Sequence, residues 1–335
     1  MRIETAARPV FARHESFHPR YGWLKKAVDA AEGDPTTFLR EDAVVMLGVG
    51  KNMVRAIKHW GLATGVLTTV PNPGRPRMPL VAPTNFGLGL LGDDGLDPYC
   101  EDLSTLWALH WRLLSPQCLA PVWWVALHEF PGVAFTQREL EEFVLERVSA
   151  VKEWESPHPG SVRKDVACLL RMYTAAGAGQ RATRDDVIDC PFRPLGLIRS
   201  AGSGFRFDLG RKPGLAPKIV LWACLDYMAR LDSPANSVTI SRLAGEPGAP
   251  GRAFRLTEEA LAALLKEAVA PTGVGTGPTL TQVAGIAQLQ WSGRSDKAAS
   301  SALWSHYARR RRQAGLALSG PEADLPSTSG LQATA

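Results

Sequence analysis

The chain has 335 residues, 45% hydrophobic and 21% charged, a globular balance that excludes wholesale disorder and leaves room for two or three domains. Lys and Arg number 38 against 33 Asp and Glu, a net charge of +5 too small to name a partner, while 31 Gly and 25 Pro point to many turns or a loose tail. No apolar run is long enough to span a bilayer and Met1 to Arg13 lacks the apolar core of a secretory leader; Cys100, Cys118, Cys168, Cys190 and Cys224 form no C-x-x-C pair, so a cytoplasmic protein without a zinc cluster or disulfide framework is expected.

Near the start, His14-Glu15-Ser16-Phe17-His18 spells H-E-x-x-H. On a helix this would place two imidazoles on one face for zinc, with Glu15 as general base. Pro19 disfavours helical geometry at His18 and no third ligand stands out, so local hydrogen bonding that positions the segment is the simpler expectation. A cluster of His14, Glu15, His18 and Arg20 beside a phosphate is the functional alternative, and His14, Glu15 and Arg20 are the candidate catalytic residues.

Residues 42 to 60 read as two short helices around the turn Gly48-Val49-Gly50, the second running from Lys51 and ending at Gly61. Met53, Ile57 and Trp60 share its expected inner face, with Lys51, Asn52, Arg55 and Lys58 off it. VVMLGVGKN, Val44 to Asn52, departs from a Walker A loop: Val45 stands where a Gly is needed and Asn52 where the magnesium hydroxyl belongs. Two β-branched runs, Gly65 to Val70 and Pro79 to Pro83, flank the basic loop Pro71 to Met78, and helix, turn, helix, strand, loop, strand is the layout of a winged helix-turn-helix.

Leu103, Leu106, Trp107, His110, Trp111 and Leu114 fit one helical face, and Val122, Trp123, Ala126, Leu127 and Phe130 another; a helical core joining neighbouring units explains them more simply than a cofactor cage. A second winged layout follows. Thr136 and Glu139 form a capping box for a helix carrying Leu140, Phe143, Val144 and Val148 inward. Ser161 can cap a helix to about Thr174, with Val162, Val166, Leu169, Leu170 and Tyr173 inside and Arg163, Lys164 and Arg171 outside. A hairpin from Leu195 to Phe207 turns around Ser200 to Gly204. A third, weaker repeat runs from Val238 through Gly245 to Gly251 and into a helix capped by Thr257.

The expected architecture is therefore α+β and mostly helical, with tandem winged helix-turn-helix units joined by a Trp-rich helical segment. Its divisions are 1–100, 101–218, 219–312 and a loose tail, 313–335.

Charge is unevenly placed. Between Asp42 and Asp93 there is no acid, yet Lys51, Arg55, Lys58, Arg75 and Arg77 fall on the candidate recognition helix and wing. Asn52 suits adenine and Arg55 guanine. Arg193 to Lys218 holds six basic residues against Asp208 alone. Lys51, Asn52, Arg55, Lys58, Arg75, Arg77, Arg163, Lys164, Arg206, Arg211 and Lys212 are the candidate nucleic-acid contacts, with a solvated face or protein interface as the alternative. Arg309 to Arg312 could clamp phosphate or simply end a helix. No acid stands two residues before any lysine and no Gly-x-Ser-x-Gly elbow is present, so no nuclease or esterase motif assigns catalysis. Asp93, Asp94, Asp97, Glu101 and Asp102 could hold a divalent ion or solvate a helix start.

Phe11 to Lys26 (FARHESFHPRYGWLKK), Leu47 to Met53 (LGVGKNM), Glu101 to Trp111 (EDLSTLWALHW), Asp189-Cys190-Pro191 and Pro250 to Leu256 (PGRAFRL) together resemble a bacterial family long known only as a domain of unknown function. That family, which includes SspB, is found beside phosphoadenosine-phosphosulfate-reductase-like proteins in DNA phosphorothioation systems. Its Phe-x-x-His-Glu-(Ser/Thr)-Phe pattern covers Phe11 to Phe17 but not His18. The resemblance implies a DNA-binding nickase that opens one strand so that sulfur can replace a non-bridging phosphate oxygen. Its companions would be a cysteine desulfurase, an ATPase and the reductase-like protein, with magnesium or manganese as cofactor if it nicks. The resemblance carries over no catalytic residue. The alternative from another class is a non-catalytic winged-helix regulator or protein scaffold.

Overall fold

The computed structural model describes residues 1–174, 190–231, 234–269 and 277–313, with side chains as far as 308. Asp189, the tail expected beyond Gln313 and the side chains of Arg309 to Arg312 fall outside the described residues. Helices and three small antiparallel sheets make the chain mixed α and β, divided into the units Met1–Asp208 and Leu209–Ala335. No described helix is long and apolar enough to cross a membrane.

Two helices absent from the sequence expectations open the first unit: α1 (Ile3–Ala6) and α2 (Trp23–Gly33). After α3 (Ala43–Leu47), Gly48 takes the left-handed cap at φ 62, which an L side chain disfavours. In α4 (Lys51–Ala63) the buried stripe is Val54, Ile57 and Trp60, whereas Met53 is half-buried. This corrects the expected inner face by one residue, because α4 packs against both α2 and strand β1 (Leu67–Val70). Gly61 permits that approach: a Cβ there would lie 2.5 Å from Leu67 Cδ1. Strand β2 (Leu80–Pro83) pairs with β1, Leu67 opposite Pro83, and Thr84 caps α5 (Asn85–Leu91) by accepting from Gly87 N.

In α6 (Leu103–Leu113) every residue from Ser104 to Leu113 is buried, so the helix is enclosed rather than one-faced. Helix α7 (Pro121–Trp124) runs into a π-helical turn, Val125–Glu129. Trp60, Trp107, Trp111, Trp123 and Trp124 are all fully buried and form the centre of this unit. Strand β3 (Ala134–Phe135) precedes α8 (Gln137–Ser149), whose capping box of Thr136 and Glu139 forms as expected. For α9 (Pro159–Tyr173) the cap is His158, whose Nδ1 accepts from Gly160 N at 3.0 Å; Ser161 lies inside the first turn. Strands β4 (Ile198–Ala201) and β5 (Gly204–Phe207) turn through Gly202 at φ 58, and the sheet order is β3-β5-β4.

The second unit opens on α10 (Pro217–Arg230), a helix buried from Ile219 to Met228 that encloses Asp226, ion-paired to Arg230 one turn on. Strand β6 (Ser237–Thr239), α11 (Ile240–Gly245), α12 (Pro250–Ala253) and α13 (Glu258–Val269) follow. Thr257 caps α13, accepting from Ala260 N at 3.2 Å. A hairpin of β7 (Thr279–Val283) and β8 (Ile286–Gln290) turns on Ala284 and Gly285, both at positive φ, before α14 (Ser295–Gln313). Its sheet order is β6-β8-β7, the same pattern as in the first unit's three-stranded sheet.

Candidate nucleic-acid interface

The acid-free stretch becomes one exposed helix face and one exposed loop. Lys51, Asn52 and Arg55 are exposed on α4, while Lys58 is half-buried and burial lowers its ammonium pKa. Between β1 and β2 the loop is held by Asn72, whose Nδ2 donates to Met78 O at 2.9 Å, and by Met78 N donating to Arg75 O at 2.8 Å. Arg75 and Arg77 project from that braced loop into solvent. Guanidinium groups so placed meet phosphate without first breaking an internal pair.

Residues 12 to 17 form a tight irregular loop, not a helix, so His14 and His18 do not share the helical face that H-E-x-x-H requires. His14 and Asp165 are both buried, and His14 Nε2 donates to Asp165 Oδ1 at 2.6 Å. Asp165 also accepts from Ala12 N at 2.9 Å, and burial pushes its carboxyl pKa up against the pull of His14. The His14 ring stacks on Trp60 at 5.8 Å, and Trp60 Nε1 donates to Phe17 O at 2.9 Å. His59 lies beside them, its imidazole pKa pushed down to about 3 by burial, then by His14 and Arg13. Ala12, Glu15 and Ser16 all sit at left-handed φ, 55, 51 and 66. Each such residue costs about 1–3 kcal/mol and persists where its surroundings over-determine it. Here the surroundings are Asp165, Trp60 and Arg171, whose Nη2 donates to Ser16 O at 2.8 Å.

This loop therefore bridges two helices. Glu15 faces Arg55 of α4 at 3.5 Å, and Ser16 faces Arg171 of α9. Of the candidate catalytic residues, Glu15 is reachable, His14 is a buried anchor, and Arg20 lies over the Phe17 and Trp23 rings at 5.9 and 5.7 Å. Asp165, Arg171 and Arg193 were not singled out as site residues. The signal for Asp165 is a lone acid on the apolar stripe of an otherwise basic-faced helix; Arg171 and Arg193 show only as members of an outer helix face and of a basic run.

On α9, Lys164 is exposed and Arg163 stands 3.7 Å from Glu141. Arg206 of β5 is paired in register with Arg199 of β4, two exposed like charges opposite one another, relieved in part by Asp208 at 3.1 Å from Arg199. Two candidates are placed differently. Arg211 makes a two-pronged ion pair with Glu267, at 2.6 and 2.8 Å. Lys212 is buried, its Nζ donating to Gly210 O at 3.0 Å, which corrects its reading as a phosphate contact: a buried ammonium cannot reach a backbone outside the protein.

The acidic stretch acts as helix-start scaffolding. Asp97 is buried and accepts from Glu101 N, Asp102 N and Thr105 Oγ1, Asp102 caps α6, and Asp93 pairs with Lys25 at 2.6 Å. Among the described residues no group of three or more His, Cys, Asp or Glu side chains converges to hold a metal ion. Burial pushes the Cys100 and Cys118 thiols up to about 12, so neither offers a thiolate at neutral pH.

Comparison with known proteins agrees along nearly the whole chain. The family model described as "Protein of unknown function (DUF4007)" matches residues 11–307. An SspB crystal structure is 39% identical, with a TM-score of 0.85 over 92% of this chain and 91% of that one. A magnesium-ion-bound SspB crystal structure is likewise 39% identical, with a TM-score of 0.86 over the same shares. No curated protein matches the chain. A family match of this extent, with solved relatives at this identity, means that the chain belongs to the DUF4007 family of SspB-like proteins.

Proposed function

We propose that this protein is a DNA-binding component of a bacterial DNA phosphorothioation system that nicks or positions one strand for sulfur incorporation. The observation that carries the reading is the exposed face of Lys51, Asn52 and Arg55 beside the braced loop of Arg75 and Arg77, within a stretch free of acid. The shared strand order β3-β5-β4 and β6-β8-β7, each sheet pairing a short strand with a hairpin, supports a tandem winged-helix architecture. In this reading residues 1–100, 101–218 and 219–312 are its three modules, and it works in the cytoplasm with a cysteine desulfurase, an ATPase and a reductase-like protein. Helix α4 enters the major groove, Arg75 and Arg77 hold flanking phosphates, and the strained loop presents Glu15 beside Arg55.

The magnesium-bound SspB relative raises the question of a divalent ion. Among the described residues the acidic side chains do not build a protein cage for it: Asp97 and Asp102 are spent on backbone N–H groups. A second reading, a non-catalytic regulator or scaffold, draws on Val45 and Met46, which are 80% and 51% exposed on α3 and would suit a protein contact.

A duplex-binding titration against salt separates the two. Phosphate contacts predict log K falling steeply and linearly with log salt, with Lys51→Ala and Arg55→Ala flattening the slope; no binding at any salt would remove the DNA reading. Nicking of supercoiled plasmid with magnesium or manganese tests the enzyme. Wild type is expected to nick and Glu15→Ala to lose activity, with His14→Ala and Lys51→Ala as companions. Equal nicking by all variants takes these residues out of the site, and a wild type that never nicks leaves only positioning.

A further inference from the structure

Beyond the α4 face, basic side chains gather at a second place, on the far side of the strained loop. His18 is buried, and its Nδ1 donates to Pro19 O at 3.2 Å, while its other ring nitrogen bonds to nothing among the described residues. The charged groups that act on it are Arg193 from the 3-10 turn after residue 190, Arg171 from the end of α9, and Arg20 from its own segment; all three disfavour its protonation, as does burial. Burial first, and then these three guanidinium groups, hold the His18 imidazole below its ordinary pKa.

Arg171 and Arg193 are oriented by backbone carbonyls rather than neutralised. Arg171 donates to Ser16 O, and Arg193 Nε donates to Arg171 O at 3.0 Å. That second bond also serves the carbonyl end of α9, which explains one N–H of Arg193 but not its remaining fork. Neither has a carboxylate within ion-pair distance among the described residues, in contrast to Arg40, Arg147, Arg211 and Arg242, which all do. At Arg171 and Arg193, positive charge without a counter-ion among the described residues, on side chains aligned by fixed acceptors, is the arrangement that receives an oxyanion.

We propose that Arg171 and Arg193, linked through the loop that runs into His18, form a binding site for a phosphate group. On the DNA reading above the group is a backbone phosphodiester of the bound duplex, held where the loop carrying Glu15 meets α9; the same chemistry would also take a free phosphate.

The test follows His18 and duplex binding in the full chain. Imidazole resonances of His18 are recorded by NMR during titration with inorganic phosphate and, separately, with a short DNA duplex; duplex affinity is measured from 50 to 200 mM salt. Arg171→Gln/Arg193→Gln is compared with Lys51→Ala/Arg55→Ala, and Arg193→Gln alone serves if the double variant does not fold. Loss of two phosphate contacts lowers the salt slope by about 1.8, so that the fourfold rise in salt weakens the variant about tenfold less than wild type. Wild-type His18 resonances are expected to move with duplex, and not in the Arg171→Gln/Arg193→Gln protein. Movement with inorganic phosphate alone assigns the site to a free phosphate group. Resonances still with both ligands, and an unchanged salt slope, overturn the site. Failure of wild type to bind any duplex would instead remove the DNA reading, leaving the phosphate arm to decide the site.

Discussion

Asp165→Ala removes the acceptor that ties the N-terminal loop to α9. In the folded protein Asp165 receives Ala12 N–H at 2.9 Å and His14 Nε2–H at 2.6 Å, with both side chains almost wholly buried. Alanine leaves these two donors buried without an acceptor. Each orphaned group costs about 1–3 kcal/mol, so a total of about 4 kcal/mol is expected. In a unit of this size that corresponds to a Tm lower by about 8–16 °C. Asp165→Asn keeps an acceptor oxygen for both donors but loses the charge and sets an N–H where Oδ2 also receives Ala12 N–H, so it should fall between wild type and alanine. The assay is thermal unfolding by circular dichroism together with amide hydrogen exchange over residues 12–17. The left-handed φ values at Ala12, Glu15 and Ser16 need continuous restraint, so exchange there should accelerate more than in the hairpin of β1 and β2. Variants within about 1 °C of wild type, roughly a quarter kcal/mol, with unchanged loop exchange would show that this carboxylate does not hold the loop.

Acid should destabilise the protein through His59. With its pKa down at about 3 in the fold against 6.5 when unfolded, its contribution is fully present above pH 6.5 and is lost as pH falls toward 3, because the unfolded chain takes the proton first. The full span is on the order of 5 kcal/mol, so Tm from pH 7 to 4 should fall less in His59→Phe than in wild type, and parallel profiles would remove His59 as the cause. Gly87→Ala places a Cβ 2.1 Å from Val66 O. Despite a helix-propensity gain of about 1 kcal/mol, overpacking of about 1–3 kcal/mol or more should lower Tm, and a rise would refute the close approach. Arg75→Ala/Arg77→Ala should reduce the salt slope of duplex binding by about 1.8, whereas Arg211→Ala, already paired with Glu267, should leave it unchanged. Equal effects of the two would mean that loop placement does not matter.

Much of the framework was legible along the chain because its signals are local. The capping box of Thr136 and Glu139, the turn at Gly48, the inner face of α9 and the strands on either side of residues 71–79 all depend on neighbours within a few residues. Helix α10 escaped notice because it is apolar on nearly every side, which erases the period that marks an amphipathic helix. The hairpin of β7 and β8 escaped for the opposite reason: Thr279 to Val283 is polar and mostly exposed, so no alternation declares it. His158 replaces Ser161 as the cap of α9 because Pro159 starts the helix three residues earlier.

Composition and order by themselves determined that this is a mixed α and β chain with helix, turn and hairpin modules, and that its modest excess of positive charge is concentrated on one helix and one loop. Which charges are available was decided only by tertiary structure. Lys212 and Arg211 belong to the same basic run as Arg206, yet one is buried, one is neutralised by Glu267 56 residues away, and one is exposed. The same holds for H-E-x-x-H, whose meaning changed when Asp165, 151 residues from His14, claimed the imidazole. A charge serves a ligand best where solvent reaches it and no close counter-ion holds it, as at Arg75 and Arg77, and both conditions are set by residues distant in the chain.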